Sequence, residues 1–194
     1  MKRSIDLKSN SSEAWLDAVM QNFDTFLMDH ADCERKASNM AMSLVAKYPD
    51  RKEIIPELIE TALEELEHFR DVYQMMQSRN VPLTHMLQKD LYIQNLLALL
   101  KPDVNDRFLD RLLLASVIEC RGAERFKMIW AALEEGEIKK FYHRLWTSEA
   151  KHGNIFVEMA LHYFDQDITY KRLHELMESE AQIVANLPIR AALH

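Results

Sequence analysis

The chain has 194 residues, 48% of them apolar, and a formal net charge of −7. That is enough chain for one domain with a substantial core, and too acidic a balance for an indiscriminate nucleic-acid binder. Three glycines and five prolines are too few for the many turns of an all-β protein. No apolar run approaches the roughly 20 residues of a membrane span, and the N-terminus lacks the apolar core of a signal peptide, so a soluble cytoplasmic protein is expected.

After a polar arm over residues 1–10, Ser11-Ser12-Glu13 offers helix N-cap chemistry. A helical pattern follows from Ala14, with a break near Asn22 to Asp24. The stripe Leu27, His30, Glu34, Ala37, Ala41, Leu44 then alternates steps of three and four, the seam of a helix packed in a bundle. Tyr48-Pro49-Asp50 ends it. A second helix is expected over 52–79, with Pro56 in its first turns and a seam of Leu58, Ala62, Glu65, Phe69, Val72 and Met76. Asn80-Val81-Pro82-Leu83 reads as a turn. Residues 84–101 read as a shorter helical segment on a long crossover, most apolar from Leu96 to Leu100. The third main helix is expected over 105–135, its seam running Leu112, Ser116, Glu119, Ala123, Phe126, Trp130, Leu133. Gly136 marks the turn to a fourth helix over 137–164, with Leu145, Glu149, His152, Phe156, Met159 and Tyr163 inward. A last amphipathic helix covers 169–186.

Chemistry concentrates in one repeated pattern. Glu65-Leu66-Glu67-His68 and Glu149-Ala150-Lys151-His152 are both Glu-x-x-His, whose carboxylate and imidazole share a helix face. Each is preceded, at near-equal separation, by a lone seam glutamate on the previous main helix: Glu34 and Glu119. One Glu-x-x-His in a Glu-rich helix is an ordinary accident of a solvated face. Two copies with two seam glutamates are not, because carboxylates on apolar seams need a counter-charge, and no Lys or Arg falls on those seams. One Glu from each of two helices and one Glu-x-x-His from each of two others is the ligand set of ferritin-like di-iron and di-manganese proteins. The expected fold is therefore all-α, a ferritin-like four-helix bundle with additional short helices, forming a single domain over residues 1–194.

Six candidate metal ligands follow: Glu34, Glu65, His68, Glu119, Glu149 and His152. A carboxylate-rich set with one imidazole per ion suits iron or manganese rather than structural zinc. By analogy with that architecture Glu65 and Glu149 would bridge, with Glu34 and Glu119 capping each ion. Two ferrous ions with open positions can reduce O2 and oxidise a C–H bond. Glu64, Glu67 and Glu124 lie off the seams and read as exposed or as supports for the ligands. His30, one turn before Glu34, could orient that carboxylate, but a plain core or surface histidine is the simpler reading. Cys33 and Cys120 have no metal-type spacing and read as small buried side chains.

The runs Asp29-His30-Ala31-Asp32-Cys33-Glu34-Arg35-Lys36-Ala37, Glu64-Glu65-Leu66-Glu67-His68-Phe69, Glu119-Cys120-Arg121-Gly122-Ala123-Glu124-Arg125-Phe126 and Ser148-Glu149-Ala150-Lys151-His152 resemble the tRNA 2-methylthio-N6-isopentenyladenosine hydroxylases. The resemblance covers nearly the whole chain. Gly122-Ala123 stands where the family carries a Ser-Cys pair, which leaves Glu119 in place. The resemblance implies a di-iron monooxygenase that hydroxylates the isopentenyl side chain of a hypermodified adenosine beside the anticodon. It further implies O2 as co-substrate, and electrons from a separate reductase or ferredoxin, since this chain has no flavin or iron–sulfur motif. Two other readings fit the ligand set: a small di-iron hydroxylase of a quinone precursor at a membrane surface, with Leu96 to Leu100 as its apolar helix, and a non-catalytic metal-binding or ferroxidase protein. For a tRNA partner the candidate phosphate contacts are Arg121, Arg125 and Lys127 on the third helix and Lys139, Lys140 and Arg144, with His143, on the fourth. Lys47, Arg51 and Lys52 form a third basic group.

Overall fold

The structure, a computed structural model, describes residues 5–84 and 89–194. Within these residues the secondary structure is seven α-helices and no strand: α1 (Glu13–Gln21), α2 (Phe23–Lys47), α3 (Ile55–Ser78), α4 (Leu91–Leu97), α5 (Val104–Ala132), α6 (Glu137–Leu161) and α7 (Gln166–Asn186). The expected main helices are all present, and their ends follow local chemistry. Pro56 sits in the first turn of α3, and the aspartates at 103 and 165 cap α5 and α7 by accepting backbone N–H bonds. After α3, Asn80 takes a left-handed conformation (φ 57°), and Val81 N donates back to the Met76 carbonyl, closing a Schellman-type end.

The segment expected to be helical over 84–101 is shorter than its apolar pattern. Residues 85–88 lie outside the described residues, and the helix begins only after Asp90, whose carboxylate accepts from Ile93 N. After Leu97 the helix tightens into turns, Leu99 N and Leu100 N donating to the Leu96 and Leu97 carbonyls, and the groups that follow bond outside it. Arg172 donates to the Leu99 carbonyl, and Lys101 N donates to Asp110.

The chain divides into two compact units, residues 17–89 with 190–193, and residues 1–16 with 90–189 and 194. In the first, α2 and α3 pack as an antiparallel hairpin. Asp24 pairs with Arg79 at one end, and Ser38 Oγ donates to the Ala62 carbonyl (2.8 Å) midway. In the second, α5 and α6 form an antiparallel hairpin on which α7 packs, with α4 against α7. Its core holds Phe108, Leu112, Leu113, Phe126, Ile129, Tyr142, Phe156 and Leu176. Arg172 of α7 reaches Asp110 of α5 through two hydrogen bonds.

Candidate metal half-sites and a basic aromatic groove

Helical periodicity places the expected donors on buried faces. In the α2–α3 unit Glu34 and Glu65 are buried, and His68 is half-buried. One ligand atom from each of these three lies within 4.8 Å of the others. His68 Nδ1 is 3.3 Å from Glu65 Oε2 and 3.8 Å from Glu34 Oε2. The register of the two helices is set one turn away, where Ser38 clamps α2 onto the α3 backbone.

The α5–α6 unit repeats this arrangement. Glu119, Glu149 and His152 are all buried, again with donors within 4.8 Å of one another. His152 Nδ1 is 3.1 Å from Glu149 Oε2. Here too a serine joins the helices: Ser116 Oγ donates to the Gly153 carbonyl at 2.7 Å, one turn from Glu119 and next to His152. In both units the ring nitrogen turned toward the carboxylates is Nδ1. Two carboxylates and one imidazole converging in a buried place are costly as bare charges and are suited to a hard or borderline divalent cation. The donor set thus fits iron or manganese.

His30 is fully buried, and its Nε2 lies 2.6 Å from Glu34 Oε1. It therefore holds the outer oxygen of that carboxylate while Oε2 faces His68. The simpler sequence reading of His30 is corrected: the i, i+4 spacing from His30 to Glu34 was the available signal. Glu64 and Glu67 are exposed as expected. The cysteines are half-buried rather than buried. Burial, and then the charges of Glu119 and Glu180, push the Cys120 thiol up to about 12, which keeps it neutral.

The basic residues separate into two kinds. Arg121 is fully buried and donates to both carboxylate oxygens of Glu180 (2.8 and 3.0 Å), to Glu124 and to the Ser9 carbonyl. Burial works against its charge, but the bonds and charge of Glu180 raise its pKa above the ordinary value. Arg125 is 5% exposed, donates to Ser11 Oγ and lies over the Trp15 ring; burial pulls its pKa down to about 10. Arg121 and Arg125, expected as phosphate contacts, have enclosed guanidinium groups that hold the N-terminal arm onto α5 and α7. Glu124 belongs to the same anchor, accepting from Ser11 N and Oγ.

Lys127, Lys140 and Arg144 are exposed and Lys139 half-buried, as a phosphate contact requires. Lys139, Lys140 and Arg144 line, with Trp130, Glu135 and His143, a groove of about 410 Å³ where α5 ends and α6 begins. Three rings cluster there: Trp130 lies 5.4 Å from His143 and 6.2 Å from Trp146, and His143 meets Trp146 edge-on. The sequence reading had Trp130 as a seam residue and missed this cluster. Lys47, Arg51 and Lys52 lie in the other unit, at the α2–α3 turn.

No helix among the described residues is long and apolar enough to cross a membrane. Leu96 is buried, so 96–100 do not form a continuous exposed apolar face.

The chain matches the family model for tRNA-(MS[2]IO[6]A)-hydroxylase (MiaE) over residues 2–194. It is 35% identical over 154 residues to the tRNA 2-(methylsulfanyl)-N(6)-isopentenyladenosine(37) hydroxylase of Pseudomonas putida, covering 79% of this chain and 74% of that one. To the protein of the same name from Salmonella typhimurium it is 25% identical over 221 residues, covering 89% of this chain and 81% of the other. Among solved structures it is similar to Protein 43 with aldehyde deformylating oxygenase activity from Synechococcus, with a TM-score of 0.90, 26% identity, and 95% of this chain and 92% of that one covered. The fold class is all-α and ferritin-like, as the ligand pattern led us to expect.

Proposed function

The chain belongs to the tRNA-(MS[2]IO[6]A)-hydroxylase family, and from that premise we propose that it hydroxylates the isopentenyl side chain of 2-methylthio-N6-isopentenyladenosine in tRNA, beside the anticodon. The observation that carries the chemistry is the duplicated cluster of a lone glutamate with a Glu-x-x-His, buried on paired helices. We assign Glu34, Glu65 and His68 to one iron ion and Glu119, Glu149 and His152 to a second. Iron held by these residues would supply reduction of O2 and insertion of one oxygen atom into a C–H bond.

The protein's own residues prepare this chemistry. His30 pins one oxygen of Glu34 and leaves the other toward His68, as supporting groups around metal ligands do. The two serine clamps hold each pair of helices at the spacing that brings the donors together. Phe126, toward the α5–α6 turn, and Phe156, away from it, are fully buried on either side of the Glu119, Glu149 and His152 cluster and exclude water there. The substrate base must leave its stack to be reached, as in other enzymes that modify a base. Two electrons come from a separate reductase or ferredoxin, and the tRNA substrate places the work in the cytoplasm.

The test is nucleoside mass spectrometry of 2-methylthio-N6-isopentenyladenosine-containing tRNA after incubation with the protein, ferrous iron, O2 and a chemical or enzymatic reductant. The expected result is a product heavier by one oxygen atom, dependent on iron and reductant, with the label taken from 18O2. Iron oxidation without any change in the tRNA would favour a ferroxidase and overturn this reading.

A further inference from the structure

The groove at the junction of α5 and α6 combines three features that the metal half-sites do not need. It is concave, it carries aromatic surface, and it carries cations placed against that surface. Lys139 Nζ lies over the Trp130 ring at 5.9 Å, and Lys127 Nζ over the Trp146 ring at 5.3 Å. Trp146 backs Trp130, while Trp130 and His143 face the groove. Lys139 and Lys140 are held at its edge by Glu135 (3.1 Å) and Glu137 (2.7 Å). Pairs whose carboxylate is open to solvent, as both of these are, are weak, and a phosphate can take the carboxylate's place.

We propose that this groove is a nucleotide-stacking subsite for single-stranded RNA, in which Trp130 and His143 receive a base while Lys139, Lys140 and Arg144 take the phosphates on either side of it. Aromatic platforms flanked by cations bind single strands in this way, because every base offers a π-face and every linkage a charge. On the reading given under Proposed function, which this proposal rests on, the occupant is a loop nucleotide near the reacting base. The spacing suits that role. Trp130 lies three turns from Glu119 along α5, about 16 Å at 1.5 Å per residue, and Arg144 lies about 8 Å from Glu149 along α6. The groove and the half-site thus lie on the same hairpin, separated along its axis by the span of a few unpaired nucleotides. The proposal also explains how an acidic protein holds RNA: the contact is local, and stacking carries part of the affinity.

The experiment measures binding of a synthetic anticodon stem-loop RNA by fluorescence anisotropy, alongside steady-state hydroxylation of tRNA, for the full-length iron-loaded protein. The variants are Trp130→Ala, Trp130→Phe, Arg144→Ala and the double Lys139→Ala/Lys140→Ala. Trp130→Ala is expected to weaken stem-loop binding roughly tenfold or more, and to raise KM for tRNA more than it lowers kcat. Trp130→Phe, which keeps a stacking face, should recover most of the loss, a rescue that a merely structural role predicts only together with a recovered melting temperature. The lysine double variant should reduce the salt slope of binding by about two. Wild-type affinity and salt slope in Arg144→Ala and in the lysine double variant, neither of which alters a buried side chain, would overturn the proposal while the functional reading stands. Wild-type protein that neither binds nor hydroxylates tRNA would overturn both.

Discussion

A β-carbon placed on Gly153 would lie 2.6 Å from the sulfur of Cys120. The contact sits between the residue after His152 and the residue after Glu119, so the closeness of α5 and α6 at this point is also the closeness of two candidate ligands. A helix-interior glycine costs about 1 kcal/mol relative to alanine. Its presence here is explained by the approach of the helices. Gly153→Ala is expected to destabilise the protein by about 1–2 kcal/mol, overpacking outweighing the gain in helix propensity. In a Cys120→Ala background the same change should be neutral or stabilising by up to about 1 kcal/mol. Chemical denaturation of the four proteins of this double-mutant cycle measures it; additive effects would show that the sulfur is not the obstacle.

Glu65→Ala and His152→Ala remove one proposed ligand from each half-site. Both should lose iron while the far-UV circular dichroism remains helical. Because a buried carboxylate is removed, metal-free Glu65→Ala should melt no lower than metal-free wild type. Wild-type protein should melt higher with iron than after chelation, by ligand linkage, and neither variant should show that shift. Full iron occupancy in either would remove the residue from the ligand set.

His30 touches Glu34 at 2.6 Å without being a proposed ligand itself. Removing a group that orients a metal ligand typically lowers affinity 10–100-fold. His30→Ala is expected to fall in that range by competition with a chelator of known affinity, and His30→Gln to lose less. An unchanged affinity would reduce His30 to a packing residue.

Arg121 and Arg125 should part company on substitution. Arg121→Met leaves Glu180 buried without its bidentate partner and is expected to cost about 3–5 kcal/mol. Arg125 donates to Ser11, a neutral partner, and burial already disfavours its charge. Arg125→Met should therefore stay within about 1 kcal/mol of wild type, and its tRNA affinity should be unchanged. A large loss of tRNA affinity in folded Arg125→Met would restore it to the binding surface.

Much of this was readable without coordinates. The steps of three and four that put Leu27, Leu44, Leu58, Val72, Leu112 and Phe126 in the core also put Glu34, Glu65, Glu119, Glu149 and His152 on buried faces. The same periodicity does not account for the burial of Arg121 and Arg125. A hydrophobic pattern treats arginine as a surface residue, and what buries these two lies far along the chain, in Glu180 of α7 and in Ser9 and Ser11 of the N-terminal arm. The apolar run around α4 also over-extended the helix, which gives way to tight turns at Leu99 and Leu100 and then to bonds with Arg172 and Asp110.

The residue order alone thus determined the main helices, the buried faces and six candidate donors, because helix geometry is local and carries a donor at i beside its neighbour at i+3. It was silent on the spacing within each half-site. That comes from two hydroxyls, Ser38 on the Ala62 carbonyl and Ser116 on the Gly153 carbonyl, and from one missing side chain at Gly153. It was silent, too, on which cations face outward around Trp130. Both depend on how one helix lies against another, and packing between elements distant in sequence is not written in the period of either.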